Sequence, residues 1–314
     1  MAILVTGGAG FIGRWVVKRL LADGHRVHVL DNLSNGSLAN LTELENHPNL
    51  MAITIGDITD EKTVVNLFTQ KFQCCIHLAA TIHVHKSVQD PYAAFNNNVV
   101  GTYNLLEACR QQGTRLVFMS TCHVYDQALS GDINENHPTK PTSPYSGTKL
   151  AGEQMVLSYH HAYGLPAVIL RPFNTYGPYQ KDDSEGGVVS IFLQARLSGN
   201  PLQVHGEGNQ TRDLLYVEDC AELVAAAAYH THVSGEIING GTGRDVSIKD
   251  LAHLIAGSGG EVKFVPHVGP KSEVAKLLGS YTKAADMLNW EPRISLEKGI
   301  SRTEAWLAAR GKGL

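Results

Sequence analysis

The chain has 314 residues, 43% hydrophobic and 18% charged, with 31 glycines and a formal net charge of −4. That length exceeds one ordinary domain, the apolar share suffices for packed cores, and the mixed charge speaks against disorder and against an electrostatic grip on nucleic acid. No apolar run approaches the ~20 residues that span a membrane, and a strand beginning at Ala2 leaves no room for a signal peptide, so a cytoplasmic location is expected.

In chain order, Ala2–Thr6 is a β-prone run ending in glycines, followed by a helical pattern through Phe11, Ile12, Trp15, Val16 and Leu20 that Gly24 closes. Arg26–Leu30 reads as the next strand and stops at Asp31. Further strands are expected at Met51–Thr54, Cys74–Leu78, Arg115–Ser120 and Ala167–Arg171, with helices near 60–70, 92–112 and 146–163. Strands alternating with helices predict an α/β fold with a parallel sheet covered on both faces. After Arg171 the rhythm breaks. Residues 174–213 are rich in Gly, Asn, Asp and Gln around one helix at Val188–Ser198; a helix follows at Glu218–His230 and a strand at Glu236–Ile238. The expected organisation is a doubly wound domain of residues 1–173 plus 214–241 and a smaller α/β lobe of 174–213 plus 242–314, which would bind substrate.

Five cysteines (Cys74, Cys75, Cys109, Cys122, Cys220) form no CxxC pair, and fifteen His show no HxxxH or HExxH spacing. Neither a disulfide framework nor a metal site is expected. The segment Thr6-Gly7-Gly8-Ala9-Gly10-Phe11-Ile12-Gly13 joins the first strand to the first helix. Glycines there allow a tight turn and close approach of a pyrophosphate, and the helix N-terminus offers free N–H groups. Asp31, 18 residues beyond Gly13, stands where a carboxylate accepts hydrogen bonds from adenosine ribose hydroxyls and repels a 2′-phosphate, which favours NAD over NADP. The same residue would also serve as a cap for the turn after the strand.

Tyr145 and Lys149 stand four apart at the start of a predicted helix, which puts both on one face. An ammonium beside a phenol favours phenolate and lowers its pKa from ~10 toward working pH. Such a phenolate takes the proton of an alcohol while a nicotinamide takes the hydride.

Taken together, these motifs resemble the extended short-chain dehydrogenase/reductase family, and within it the nucleotide-sugar epimerases and dehydratases. The markers run over essentially the whole chain: TGGAGFIG at 6–13, DNLSNG at 31–36, Gly56-Asp57-Ile58, His77-Leu78-Ala79-Ala80 and NVVGT at 98–102. They continue with Ser120-Thr121, Tyr145/Lys149, RPFNTYGP at 171–178, GGVVSIF at 186–192 and QTRDLLYVED at 210–219. The resemblance implies a Rossmann fold whose NAD is held by Gly7, Gly10, Phe11, Ile12, Asp31, Asn32, Asp57, Ile58, Leu78, Ala79, Ala80, Asn98, Tyr145 and Lys149. It implies a nucleotide-sugar substrate, a UDP-sugar first, contacted by His83, Asn174, Val188, Arg212 and Glu273, with Arg212 on the diphosphate. Thr121 would bond the sugar 4-hydroxyl and share its proton with Tyr145. Where the family carries an Arg-Pro-Gly-Glu/Asp segment on the nucleotide ribose, this chain reads Pro270-Lys271-Ser272-Glu273. A homodimer is implied as well, paired through helices near 96–111 and 146–162.

All members of that group would begin by oxidising C4 of the sugar, and the residues after the Ser/Thr direct the fate of the ketose. Epimerases carry small residues there; 4,6-dehydratases carry an Asp–Glu acid/base pair. Here the pair is Cys122-His123, a thiol and an imidazole, similar to the Thr-Cys-Glu of the 5,6-ene-forming dehydratase of tunicamycin biosynthesis. Ala79-Ala80-Thr81-Ile82-His83-Val84 also resembles a dehydratase segment, whereas Gly186–Phe192 resembles 4-epimerases. Catalysis at C5/C6 by Cys122 and His123 is therefore expected first and plain 4-epimerisation second, with a non-catalytic NAD-binding regulator as the remote third. Under the second and third, Cys122 is a space-filling buried residue and His123 is inert.

Overall fold

Ile3 and Val5 of the first strand enter one core and Ala2 and Leu4 another, and all of Ala2–Thr6 is buried, as a strand between two helical layers requires. The computed structural model describes residues 1–126, 131–181, 187–266 and 275–310. In it, this strand lies within a seven-stranded sheet ordered Ile237–Gly240, Ala167–Pro172, Arg115–Met119, Cys74–His77, Ala2–Thr6, Arg26–Asp31, Leu50–Ile55. All six pairings are parallel. The winding direction reverses between Ala2–Thr6 and Cys74–His77, and a crevice at the carboxyl ends of the strands is the consequence of such a switch point.

Helices Phe11–Ala22 and Val217–Tyr229 fill the first core with Val16, Val17, Leu20, Leu223 and Val224. Glu61–Leu67, Gly101–Gln112 and Pro144–Tyr163 fill the second with Val64, Leu105, Leu106 and Val156. The single helix expected near 92–112 comprises Pro91–Phe95, a π-helical turn at Asn96–Val100, and Gly101–Gln112. A wide turn inside a helix re-aims side chains. Here Asn97 faces the crevice while Asn98 is buried.

Beyond Pro172 the chain leaves the sheet. Thr211–Tyr216 pairs with Asn174–Tyr176 and Lys276–Leu277 in parallel and with Asp245–Ser247 antiparallel. Leu202–His205 pairs separately with Val262–Val265. Phe192, Leu193, Leu251, Ile255, Ile300 and Leu307 form the lobe's own core, drawn from helices Val188–Leu197, Ile248–Ala256 and Leu296–Arg310. The stretch after 242 divides between the two bodies. Ala284, Leu288 and Trp290 pack into the first core of the nucleotide half, where Trp290 Nε1 donates to the Asp219 carbonyl at 3.0 Å. A small cluster of Cys122, Val124, Tyr125, Ile133, Phe173 and Leu277 joins the two bodies beneath the crevice. Among the described residues no helix is long and apolar enough to cross a membrane, and no cluster of His, Cys, Asp or Glu could hold a metal ion.

Candidate active site

Crowding explains the glycine turn. Gly7 has φ +72°, and a Cβ there would stand 2.7 Å from the Ala79 backbone nitrogen; at Gly13 it would stand 2.0 Å from the Gly7 carbonyl oxygen. The helix Phe11–Ala22 starts at Gly10 without a side-chain cap, so its leading N–H groups are open to an anion. From this turn a cleft of about 1130 Å³ runs past Tyr145 into the lobe. Gly7, Gly10, Phe11, Ile12, Asp31, Asn32, Ile58, Leu78, Ala79 and Ala80 all line it. Asp31 Oδ2 accepts from Ala9 N at 2.9 Å and Oδ1 from Leu33 N at 2.8 Å, so it caps the turn and faces the cleft at once.

Asp57 and Asn98 do not line the cleft. Asp57 accepts from Thr59 N at 2.8 Å and from Asn32 Nδ2 at 2.8 Å, so it braces Asn32. Asn98 accepts from Thr81 N at 2.7 Å and donates to the Thr81 carbonyl at 3.0 Å and to Thr148 Oγ1 at 2.9 Å, which ties the loop after Ala80 to the helix bearing Tyr145.

That helix, Pro144–Tyr163, begins with Pro at its first position and a reciprocal Ser143–Ser146 capping box, which sets its first turn firmly. Tyr145 and Lys149 therefore project from one face into the cleft, both buried. The expected depression of the phenol's pKa by Lys149 is not found. Burial pushes Tyr145 up to about 12, and the opposing pull comes from a hydrogen bond with Thr121. Lys149 Nζ lies 4.4 Å over the Phe118 ring, and burial brings its ammonium down to about 8 against the attraction of Glu153.

Strand Arg115–Met119 delivers the other wall. After it, Thr121 accepts from His123 N at 3.2 Å and caps a short turn, Cys122–Val124, so that Thr121, Cys122 and His123 all face the cleft. Burial pushes the Cys122 thiol up to about 12, with Asp213 adding to the rise and Arg212 opposing it. Burial and, after it, the Arg212 charge lower His123 to about 4. Near neutral pH the thiol keeps its proton and the imidazole is neutral. One is a proton donor and the other an acceptor.

Asn174, Val188 and Arg212 line the lobe side of the cleft. Asp213, next to Arg212, points to the opposite face of the strand, where it accepts from Thr242 N at 2.9 Å and Gly279 N at 3.1 Å. His83 does not line the cleft; its Nε2 lies 3.4 Å from Asn35 Oδ1, and His85 faces the cleft instead. Glu273 lies outside the described residues. Sequence reasoning missed His85, Asn35 and Gln180. Gln180 donates to the Thr175 carbonyl at 3.1 Å and accepts from Ser190 Oγ at 3.0 Å, joining the loop after Pro178 to helix Val188–Leu197. Loop polar residues of this kind carry no periodic signal.

Fold and site together define a dinucleotide-binding α/β protein of the short-chain dehydrogenase/reductase type. The chain belongs to the nucleotide-sugar epimerase/dehydratase family: residues 4–303 match the family described as GDP-mannose 4,6 dehydratase. It is 38% identical over 309 residues to a UDP-glucose 4-epimerase of Mycolicibacterium smegmatis, covering 96% of this chain and 97% of that one. Among solved structures it resembles Pal of Bacillus thuringiensis, with 54% identity, a TM-score of 0.97 and coverage of 99% and 100%. It also resembles the dTDP-glucose 4,6-dehydratase DesIV of Streptomyces venezuelae, a structure with NAD bound, with 31% identity, a TM-score of 0.91 and coverage of 99% and 98%.

Proposed function

We propose that this enzyme oxidises C4 of a UDP-hexose or UDP-N-acetylhexosamine with NAD and then eliminates or exchanges at C5 and C6. The glycine turn, the uncapped helix start and Asp31 fit a dinucleotide, with Lys149 and Tyr145 at its nicotinamide end. Bound there, NAD would supply the acceptor for the hydride that leaves C4 and that returns to C4 or C6 once water has left. Tyr145 takes the 4-hydroxyl proton through its contact with Thr121, whose hydrogen bond favours the phenolate, and Lys149, one helical turn away, would hold the nicotinamide end of the dinucleotide. Arg212 meets the diphosphate with a guanidinium fork, and Asn174 and helix Val188–Leu197 cover the nucleotide. The ketone acidifies C5. The neutral His123 imidazole then accepts the C5 proton while the Cys122 thiol protonates the C6 hydroxyl; the C6–O bond breaks, water leaves, and a C5–C6 double bond forms.

What supports this reading above all is a protonated thiol and a neutral imidazole side by side in the cleft, next to Thr121 and Tyr145. An enzyme that only inverts C4 needs neither. Plain 4-epimerisation is the second reading, favoured by the name of the M. smegmatis relative. Incubating UDP-glucose and UDP-N-acetylglucosamine in D₂O, followed by mass and proton NMR, separates the two. Deuterium at C5 or C6, or loss of water, is expected, and is abolished in Cys122→Ser and His123→Gln. An unlabelled product altered only at C4 would reverse the order.

Assembly as a homodimer completes the proposal. Tyr92 and Tyr163 are 74% and 60% exposed, and Phe95 and Tyr103 are also exposed, on the outer faces of Pro91–Phe95, Gly101–Gln112 and Pro144–Tyr163. Light scattering at micromolar concentration should give twice the 34.0 kDa chain mass; the chain mass alone would refute pairing.

A further inference from the structure

Glu153 is fully buried, one helical turn beyond Lys149, which is itself one turn beyond Tyr145. Its Oε1 accepts from Ser120 Oγ and from Arg171 Nε at 2.8 Å, and its Oε2 accepts from Arg171 Nη2. Ser120 immediately precedes Thr121. Arg171 stacks 4.6 Å over the Tyr125 ring, and Tyr125 donates to Asn239 Oδ1 at 2.7 Å. One carboxylate thus holds three elements together: the helix carrying Tyr145 and Lys149, the strand end carrying Thr121–His123, and strand Ala167–Pro172.

We propose that Glu153 is a positioning residue for C4 oxidation: it sets the Thr121 wall against the Tyr145 helix through Ser120, and its charge sustains the buried Lys149 ammonium. Resting on the NAD-dependent reading above, this assigns the site a further member that touches neither cofactor nor sugar. The other charged or titratable groups around Lys149 do not replace it. Tyr145 on the same helix is a neutral phenol, His77 on strand Cys74–His77 is kept neutral by burial and by Lys149 itself, and Arg171 is a cation engaged by Glu153. Phe118 offers Lys149 only a ring face.

A buried ion pair broken on one side destabilises through the orphaned charge, so Glu153→Gln alone risks misfolding. The double variant Glu153→Gln/Arg171→Met removes both charges together. NAD affinity by calorimetry from about pH 6 to 10, with thermal melting alongside, reads the charge effect without any sugar, because the Lys149 ammonium is part of the dinucleotide site. For the folded double variant, the loss of affinity on the alkaline side is expected about one pH unit lower than in the wild-type enzyme. A superimposable affinity profile at wild-type melting temperature would reduce Glu153 to a partner for Arg171 and overturn the charge role. Ser120→Ala keeps the ion pair and cuts the tether; about tenfold slower sugar turnover with an unmoved NAD profile is expected, and unchanged turnover would overturn the tether. Should wild-type enzyme bind NAD yet turn over neither UDP-glucose nor UDP-N-acetylglucosamine, the proposed reaction fails while the affinity profile still decides the place of Glu153.

Discussion

The nucleotide half and the lobe are assembled from different distances along the chain. The first five strands of the seven-stranded sheet are each followed by helical chain, and Ala2–Thr6, Arg26–Asp31 and Cys74–His77 lie side by side within the first quarter of the sequence. Thr211–Tyr216 in the lobe instead finds its neighbours at 174–176, 245–247 and 276–277. The first arrangement leaves a repeating local pattern; the second leaves short polar strands whose partners are remote. The chemistry divides along the same line. Thr121 follows a strand of the sheet and Tyr145 and Lys149 open a helix that covers it, whereas Arg212, Asn174 and Val188 come from the lobe.

That division is tested most severely at the reacting alcohol. Tyr145→Phe should lower turnover by about 10³-fold while NAD stays bound, and Lys149→Ala should lower it as far while also weakening NAD, since general acid–base groups contribute on that scale. Turnover that survives either substitution would remove the reaction from the nucleotide half. A contrast between cofactor and substrate comes next. Gly7→Ala forces a side chain against Ala79 in a left-handed backbone, so NAD affinity should fall by at least about tenfold. Arg212→Ala should leave NAD affinity intact and raise the KM for the nucleotide sugar by about tenfold to a hundredfold. If both variants weakened NAD alike, the two bodies would not be functionally separate.

The smallest effects concern stability, and the two bodies should respond to acid with opposite sign. Burial lowers His77 to about 3, so the unfolded chain takes up that proton first and stability is lost as pH falls below about 6.5. Asp213, in the lobe sheet, is raised to about 6 by burial despite its hydrogen bonds from Thr242 and Gly279. Its contribution is fully present below the ordinary carboxylate range and is lost as pH rises through about 6. Melting temperatures from about pH 4 to 8 check this: the wild-type advantage over Asp213→Asn should grow with acid, and that over His77→Asn should shrink. Parallel slopes would refute the contrast.

Much of the nucleotide half was legible because strand and helix periods follow one another there, and because the glycine turn, Asp31, Tyr145 and Lys149 have spacing with a physical meaning. The break at Asn96–Val100 was not, since a π turn keeps a helical hydrophobic pattern. In the lobe, helix Val188–Leu197 was readable from its apolar run, but Thr211–Tyr216 as a strand, and Thr282–Leu288 as a helix of the other body, were not. Burial decided the remaining differences. Two positions separate His83, which faces Asn35, from His85, which faces the cleft, and only the turn of Val84–Gln89 selects between them. The state of the Tyr145 phenol likewise depends on how thoroughly water is excluded, which spacing along a chain does not reveal.

The little cluster under the crevice places Cys122 among Ile133, Phe173 and Leu277, of which Ile133 and Leu277 do not line the cleft. The sulfur sits in the packed seam between the halves. If Cys122 is the proposed donor, substitutions at Ile133 or Leu277 would tilt it by fractions of an ångström and bias which product leaves. A hybrid that exchanged lobes between relatives would inherit its outcome from how that joint was cut as much as from either parent's side chains.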